Sequence, residues 1–536
     1  MNTVAPPSSA PEDITPEWMP LDPAAADPTP LYDVATIRRV ERAGLAATPA
    51  FTLMSRAGAA AANWVQQHLP SGRILFLAGQ GNNGGDALVA ATRLHQAGRL
   101  VEAWLAAEAD RLPADAARAW FEGRTAGVPL LAVPPDPDAA LPPWPTGCVA
   151  IVDGLLGIGI NRPAEGNVAR WIDALNTSRL PVFALDIPSG LFADTGTGQP
   201  AVRAQRTLTF LGAKPGLLTL DGRDCAGEID IAPLGLDYPP AEPPVAVVNQ
   251  PGGFLQALPR RDHAANKGRF GSLAVIGGNH GMTGAPLLGA RAALHLGAGR
   301  VHVGFLALPA PAIDPVHPEL MLHPLLELAL DAMSAIVVGP GMGTGTAARK
   351  HLAQLIDACA NAEPPLPLVL DADALNLLAS DATLADQLRD SGLDYVMTPH
   401  PLEAARLLGS TVVEVQRDRL AAATTLATRW RATIVLKGSG TVIATPDGAP
   451  PTINPTGNAA LSTAGTGDVL AGMIGALLAQ GVPMTAATRA AVWIHGRAAD
   501  RLVAAGIGPA GMTASELQHP ARAIFNALLR SDTASA

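Results

Sequence analysis

Cysteine is scarce: Cys148, Cys225 and Cys359 are the only three in 536 residues. Their odd number and wide spacing, with neither C-x-x-C pairs nor histidine partners, speak against a disulfide framework or a thiolate zinc site. Each is expected as a buried, reduced thiol, which points to a cytoplasmic compartment. Aromatics are also few, at 4%, and charged residues reach only 16% against 48% hydrophobic. That balance belongs to a well-packed globular protein, and abundant Ala, Gly and Pro suit an α/β enzyme. The formal charge of −10 counts against non-specific nucleic-acid binding and against a basic membrane-binding surface. No basic residue precedes Arg38, so the charged start of a secretory signal is missing. The longest apolar runs, such as Val469–Ala479, are too short and too broken by glycine to span a bilayer.

A chain this long exceeds one ordinary core, so two domains of roughly 200 to 300 residues are expected. Residues 1–30 hold eight prolines and little periodicity, and read as a disordered tail. Ile37, Val40, Ala43 and Gly44 then fall at helical spacing, and 57–69 continue as helix. Strand-like runs come next at 73–79, 148–153, 181–186 and 206–211, with helical stretches between them. The segment 238–250, opening on Tyr238-Pro239-Pro240, reads as a stiff linker. After it, strand-like runs recur at 272–277, 300–306, 335–339, 366–371, 395–398 and 434–437. Strands alternating with helices predict a parallel sheet in each half, covered on both faces, with ligands beyond the C-terminal strand ends.

Those ends carry the polar residues. Gly79, Gly81 and Gly84 match the dinucleotide pattern G-x-G-x-x-G, with Glu102 roughly at the acidic ribose position. Asn82, Asn83 and Asp86 crowd the place of the phosphate, so this loop reads as built for something more elaborate than a pyrophosphate. In the second half, Ala464-Gly465-Thr466-Gly467-Asp468 runs straight into an apolar helical pattern. The open N–H groups of a helix start can cradle an anion, and glycine lets a ligand approach the backbone closely. A carboxylate there repels a finished phosphate, so Asp468 reads either as an N-cap or as a base that takes a hydroxyl proton during phosphoryl transfer. Lys437–Thr441 reads as a nucleotide loop, one cation with glycine N–H groups, or as an ordinary hairpin turn. His400, between prolines, is either a substrate contact or a packed loop histidine. Asp371 and Asp373 are strand-end caps or neighbours of a metal–phosphate site.

Three first-half motifs occur in one order: Gly81-Asn82-Asn83-Gly84-Gly85-Asp86, Val152-Asp153 with Gly157-Ile158-Gly159, and Leu185-Asp186-Ile187-Pro188-Ser189-Gly190. With Lys214-Pro215 they resemble the NAD(P)H-hydrate epimerase domain over residues 31–237. The resemblance implies a Rossmann-like three-layer sandwich that interconverts the R and S hydrates of NADH or NADPH. It implies a K⁺ site at Asn83, Asp153 and Ser189, all oxygen donors as a hard cation requires. It implies substrate contacts at Asn82, Asn83, Gly84, Gly85 and Asp86, at Gly157, Ile158, Gly159, Ile160, Asn161, Arg162 and Pro163, and at Asp186. Asp186 is the candidate acid/base, with Lys214 second. Ala87 departs from the family, many of whose members have glycine there.

Gly339-Pro340-Gly341, Asp371-Ala372-Asp373, Pro399-His400-Pro401, Lys437-Gly438 and Gly465-Thr466-Gly467-Asp468 resemble the ribokinase-like NAD(P)H-hydrate dehydratase family over 251–530. This implies an α/β/α domain that dehydrates the S hydrate at the expense of ADP, giving AMP and phosphate. Nucleotide contacts map onto Lys437, Gly438, Ser439, Gly440, Thr441 and Gly467. Hydrate contacts map onto Ala285, Gly341, His400 and Asp468, the last as catalytic base. Mg²⁺ is expected to bridge the diphosphate. Leu402 departs from the glycine usual after His-Pro. The expected partners are the hydrates and ADP, with no nucleic acid or membrane, in a homo-oligomer. The rival reading is a small-molecule kinase with a nucleotide-sensing first domain.

Overall fold

The computed structural model describes residues 18–133, 136 and 140–533. The described residues divide into two compact units, the first within 18–21, 30–217 and 221–244, the second within 22–29, 218–220 and 245–533. Among the described residues no helix is long and apolar enough to cross a membrane.

The sheet of the first unit runs in the spatial order Met19–Pro20, Glu228–Ala232, Arg206–Phe210, Val182–Leu185, Cys148–Gly154, Arg73–Ala78, Val101–Leu105, Leu130–Ala132. Only its first strand is antiparallel to its neighbour. The run Ile74-Leu75-Phe76-Leu77 is apolar throughout because both faces are covered. Ile74 and Phe76 enter one core, Leu75 and Leu77 the other, and all four are buried. The chain leaves Arg73–Ala78 towards one edge and returns to pair Cys148–Gly154 on its other side. The crevice at that reversal is where an open α/β sheet takes its ligand.

The second unit repeats the plan, in the order Met321–Pro324, Arg300–Phe305, Ser272–Gly277, Ala335–Val338, Leu368–Leu370, Tyr395–Met397, Thr433–Leu436, Val442–Ala444, Thr452–Ile453, Ala246–Val248. It is parallel as far as Thr433–Leu436, the next two pairings are antiparallel, and Ala246–Val248 again runs parallel to Thr452–Ile453. Leu273 and Val275 face one core while Ala274 and Ile276 face the other. Here the reversal falls between Ser272–Gly277 and Ala335–Val338, at Gly278 and Gly339.

Several expectations change. Residues 1–17 of the expected tail lie outside the described residues, but 18–30 are ordered: Met19–Pro20 pairs with Asp230 and Ile231, and Trp493 Nε1 donates to Pro23 O at 3.0 Å. Prolines there suit an extended edge segment as well as they suit disorder. The expected linker 238–250 is divided between the units. Tyr32 Oη donates to Pro240 O at 3.2 Å in the first, and Ala246–Val248 is a strand of the second. Glu102 is no ribose ligand, because it sits mid-strand with its carboxylate on Arg73 at 3.1 Å and Trp104 Nε1 at 2.7 Å. All three cysteines are free, but Cys148 is only partly buried.

Candidate active sites

In the first unit the Gly81–Asp86 segment is the opening turn of a helix, Asn82–Gln96, rather than the expected loop. Close packing explains its glycines. A Cβ on Gly84 would lie 2.0 Å from Gly79 O, and one on Gly79 would lie 1.8 Å from Leu155 O. Gly84 therefore serves the backbone and Gly85 packs against the Met54 side chain, while Asn82, Asn83 and Asp86 face a cleft of about 460 Å³. Gly157 to Ile160 line the same cleft, while Asn161, Arg162 and Pro163 are exposed beyond it.

Behind the cleft lies a web of oxygens. Asp153 Oδ1 accepts from Ser189 Oγ at 2.7 Å and Leu155 N at 3.1 Å, and its Oδ2 accepts from Ser189 N at 2.8 Å. Burial pushes the Asp153 carboxyl up to about 6, against the pull of its Ser189 hydrogen bonds. Asn83 Nδ2 donates to Leu156 O at 2.8 Å and Leu185 O at 3.0 Å, while its Oδ1 is buried with no partner. A buried carbonyl oxygen left unpaired is costly and marks a place for a cation or another donor.

Asp186 ends the next strand with φ at +63°, a conformation Asp tolerates better than most residues. Its Oδ1 accepts from Lys214 Nζ at 2.7 Å and its Oδ2 from Ile158 N at 3.3 Å. Lys214 is fully buried and also donates to Thr209 Oγ1 and Phe210 O, each at 2.8 Å. The lysine thus fixes Asp186 and has no donor left over for a ligand. Arg38 and Glu41 reach the cleft from the helix Val34–Ala47, and no motif in the sequence announced them. Burial first, then Asp186 and Glu41, hold the Asp86 carboxyl well above its usual range. Burial and Asp186 likewise raise Glu41.

In the second unit Gly465, with φ at +88°, caps the helix Thr466–Ala479, so Asp468 is the third helical residue and not the cap. Burial first, then Asp371, push its carboxyl up to about 7, with Lys437 pulling the other way. Lys437 Nζ donates to Asp371 Oδ1 at 2.8 Å. A Cβ on Gly467 would stand 3.2 Å from that ammonium, so glycine keeps the space beside it open. The helix Gly284–His295 lies against this turn: a Cβ on Gly289 would come within 2.9 Å of Asp468 O. Ala285 and Gly341 are adjacent, 3.2 Å separating Ala285 Cβ from a Cβ placed on Gly341.

His400 caps the helix Pro401–Leu408. Its Nδ1 accepts from Leu402 N at 3.1 Å and Glu403 N at 3.3 Å, and Glu403 accepts from His400 N at 2.8 Å in return. Nδ1 of His400 is thus taken up by the helix cap, while the side chain itself is exposed and Nε2 lies 3.3 Å from Glu403 Oε1. Leu402 is exposed, so its side chain obstructs nothing. Glu403, unnoticed in the sequence, is buried and pushed up to about 7. Ser439 Oγ is taken up by Leu220 O at 3.0 Å. Thr441 Oγ1 closes the loop on Gly438 O at 3.2 Å.

Comparison with known proteins matches a family model described as NAD(P)H-hydrate dehydratase to residues 273–521, and one described as YjeF-related protein N-terminus to 50–216. A bifunctional NAD(P)H-hydrate repair enzyme Nnr from Coxiella burnetii is 36% identical over 93% of this chain and 100% of its own length. The protein of that name from Escherichia coli is 39% identical over 91% of this chain and 93% of its own. An ADP-dependent (S)-NAD(P)H-hydrate dehydratase from Neisseria meningitidis is 46% identical over 52% of this chain and 93% of its own. Among solved structures, a Bacillus subtilis ADP/ATP-dependent NAD(P)H-hydrate dehydratase co-crystallized with ATP/Mg²⁺ is 29% identical. It covers 51% of this chain and 96% of that one, with a TM-score of 0.43.

Proposed function

Since the chain belongs to the bifunctional NAD(P)H-hydrate repair enzyme family, we propose that its first unit interconverts the R and S hydrates of NADH and NADPH and its second dehydrates the S hydrate with ADP. The observation that carries the second activity is the placing of Asp468 on the turn beside Lys437, its carboxyl held near the pH at which a base is most effective. Asp468 takes the proton of the hydrate's hydroxyl as that oxygen receives the terminal phosphoryl group of ADP. Open N–H groups at the start of the helix stabilise the charge that develops. Phosphate, a far better leaving group than hydroxide, then departs from carbon, the neighbouring ring carbon gives up a proton, and the nicotinamide double bond returns.

Mg²⁺ would offset the charge of the diphosphate. Lys437 already holds Asp371, and Gly343 N donates to Asp373 Oδ2 at 2.8 Å, so the ion is assigned to the nucleotide. In the first unit, Asp186 is the acid/base for epimer exchange, oriented by Lys214. The proposed K⁺ would be held by Asn83, Asp153 and Ser189. The donor set fits, being oxygen throughout, with the Asn83 carbonyl oxygen buried and unpaired. Such an ion would supply fixed positive charge beside the cleft.

Incubating the protein with the R hydrate and ADP should restore reduced nicotinamide absorbance with release of AMP and phosphate. A stable phosphorylated product in their place would refute the dehydratase reading. Replacing K⁺ by a bulky organic cation should slow epimer exchange in the parent. Asn83→Leu, which keeps the bulk and removes the oxygen, should make the residual rate indifferent to K⁺. A K⁺ response unaltered in that variant would remove Asn83 from the ion site.

A further inference from the structure

The loop Lys437–Thr441 closes around a guanidinium. Arg419 opens the helix Arg419–Trp430 and is 2% exposed. Its Nη2 donates to three carbonyls of the loop and its approach, Leu436 O at 3.0 Å, Lys437 O at 3.2 Å and Gly440 O at 3.4 Å. Its Nη1 donates to Gln416 Oε1 at 2.7 Å, and its Nε has no partner. Among the described residues no carboxylate pairs with it, so neutral oxygens alone balance a buried charge. Burial pushes it down to about 10. Gly438, with φ at +135°, completes the fit: a Cβ there would stand 3.0 Å from Nη1.

Peptide planarity gives this arrangement a consequence. The C=O of one residue and the N–H of the next point in opposite directions. With the carbonyls of Lys437 and Gly440 drawn inward, the N–H groups of Gly438 and Thr441 are turned away from the guanidinium. Among the described residues neither donates to a backbone acceptor, whereas Lys437 N, on the peptide that Leu436 O begins, is taken by Pro399 O at 2.9 Å. Two such backbone donors, in a loop that begins on a lysine, are the kind of groups from which an anion-binding concavity is built.

We propose that Arg419 is a positioning residue for nucleotide binding: it never touches the ligand but holds the loop so that its N–H groups face a nucleoside diphosphate. The proposal rests on the reading of Lys437–Thr441 as the nucleotide loop. Lysine cannot replace the fork, since a single ammonium on a flexible stem does not span three carbonyls in one plane.

The test uses the full chain with Arg419→Met and Arg419→Lys, epimer exchange by the first unit reporting on the folding of the rest. Titration with ADP should show Arg419→Met binding about 10- to 100-fold more weakly, the range of a lost charge-assisted hydrogen bond. Arg419→Lys should fall between it and the parent. KM for ADP should rise in step, while kcat at saturating ADP and KM for the S hydrate stay within about threefold, a split expected when only ground-state nucleotide binding is removed. Parental ADP affinity in Arg419→Lys overturns the proposal even if Arg419→Met does not fold. Loss of kcat with ADP affinity intact also overturns it. A parent chain that binds no ADP would overturn the nucleotide reading itself.

Discussion

Asp468→Asn should lower the rate of S-hydrate dehydration by about 10²- to 10⁴-fold, the usual span for a general base, and leave epimer exchange at the parental rate. The amide keeps the size of the side chain and its place in the first turn of the helix, so the fold has no reason to change. A carboxylate acts as a base only when ionised. Because burial and Asp371 push Asp468 up to about 7 in the free protein, kcat/KM for parental dehydration should rise with pH through about 7 and fall away below it. The residual rate of the variant should lack that limb. Single-turnover measurements across pH decide the matter, and parental turnover in Asp468→Asn would remove the base from the mechanism.

Asp186→Ala should abolish epimer exchange, but it should also destabilise the first unit. Lys214 would be left fully buried with only Thr209 Oγ1 and Phe210 O as partners. Stripping one member from a buried ion pair costs about 3–5 kcal/mol. Asp186→Asn is the cleaner variant, because asparagine also tolerates the positive φ of this position. It should lose exchange by about 10²- to 10⁴-fold at a temperature where near-ultraviolet circular dichroism still shows a native first unit. S-hydrate dehydration should be unchanged. Exchange at the parental rate in this variant would leave Asp186 with a purely structural task.

The strand ends were legible in the sequence because buried parallel strands are apolar runs, and the turn closing such a run has to be glycine-rich or polar. Arg73–Ala78, Cys148–Gly154 and Ser272–Gly277 stood out for that reason, and so did their closing turns. The strands at Val101–Leu105, Glu228–Ala232 and Val442–Ala444 did not, being short or interrupted by charge. Among the polar residues, those in contiguous motifs could be found. Glu41, Glu403 and Arg419 could not, because each sits within an ordinary helical pattern and gains its meaning from the groups packed against it. Lys214 was visible only as a secondary candidate acid/base. Its binding to Asp186 depends on a contact between residues 28 positions apart. Gly84 looks like a ligand glycine in the sequence, yet crowding against the Gly79 backbone accounts for it.

The crowd of carboxylates around Lys437 carries one more implication. Asp371, Glu403 and Asp468 all act on Lys437, Asp373 acts on Asp468, and Glu403 and Asp468 are pushed up to about 7. A diphosphate entering this neighbourhood adds negative charge and favours the neutral form of Glu403 and Asp468. Docking of the nucleotide therefore takes up protons from solvent, and its grip strengthens with acidity. Turnover asks for the reverse, since a protonated Asp468 abstracts nothing. The second unit must work between those opposed demands, in the narrow range where it can both retain its phosphoryl donor and use it.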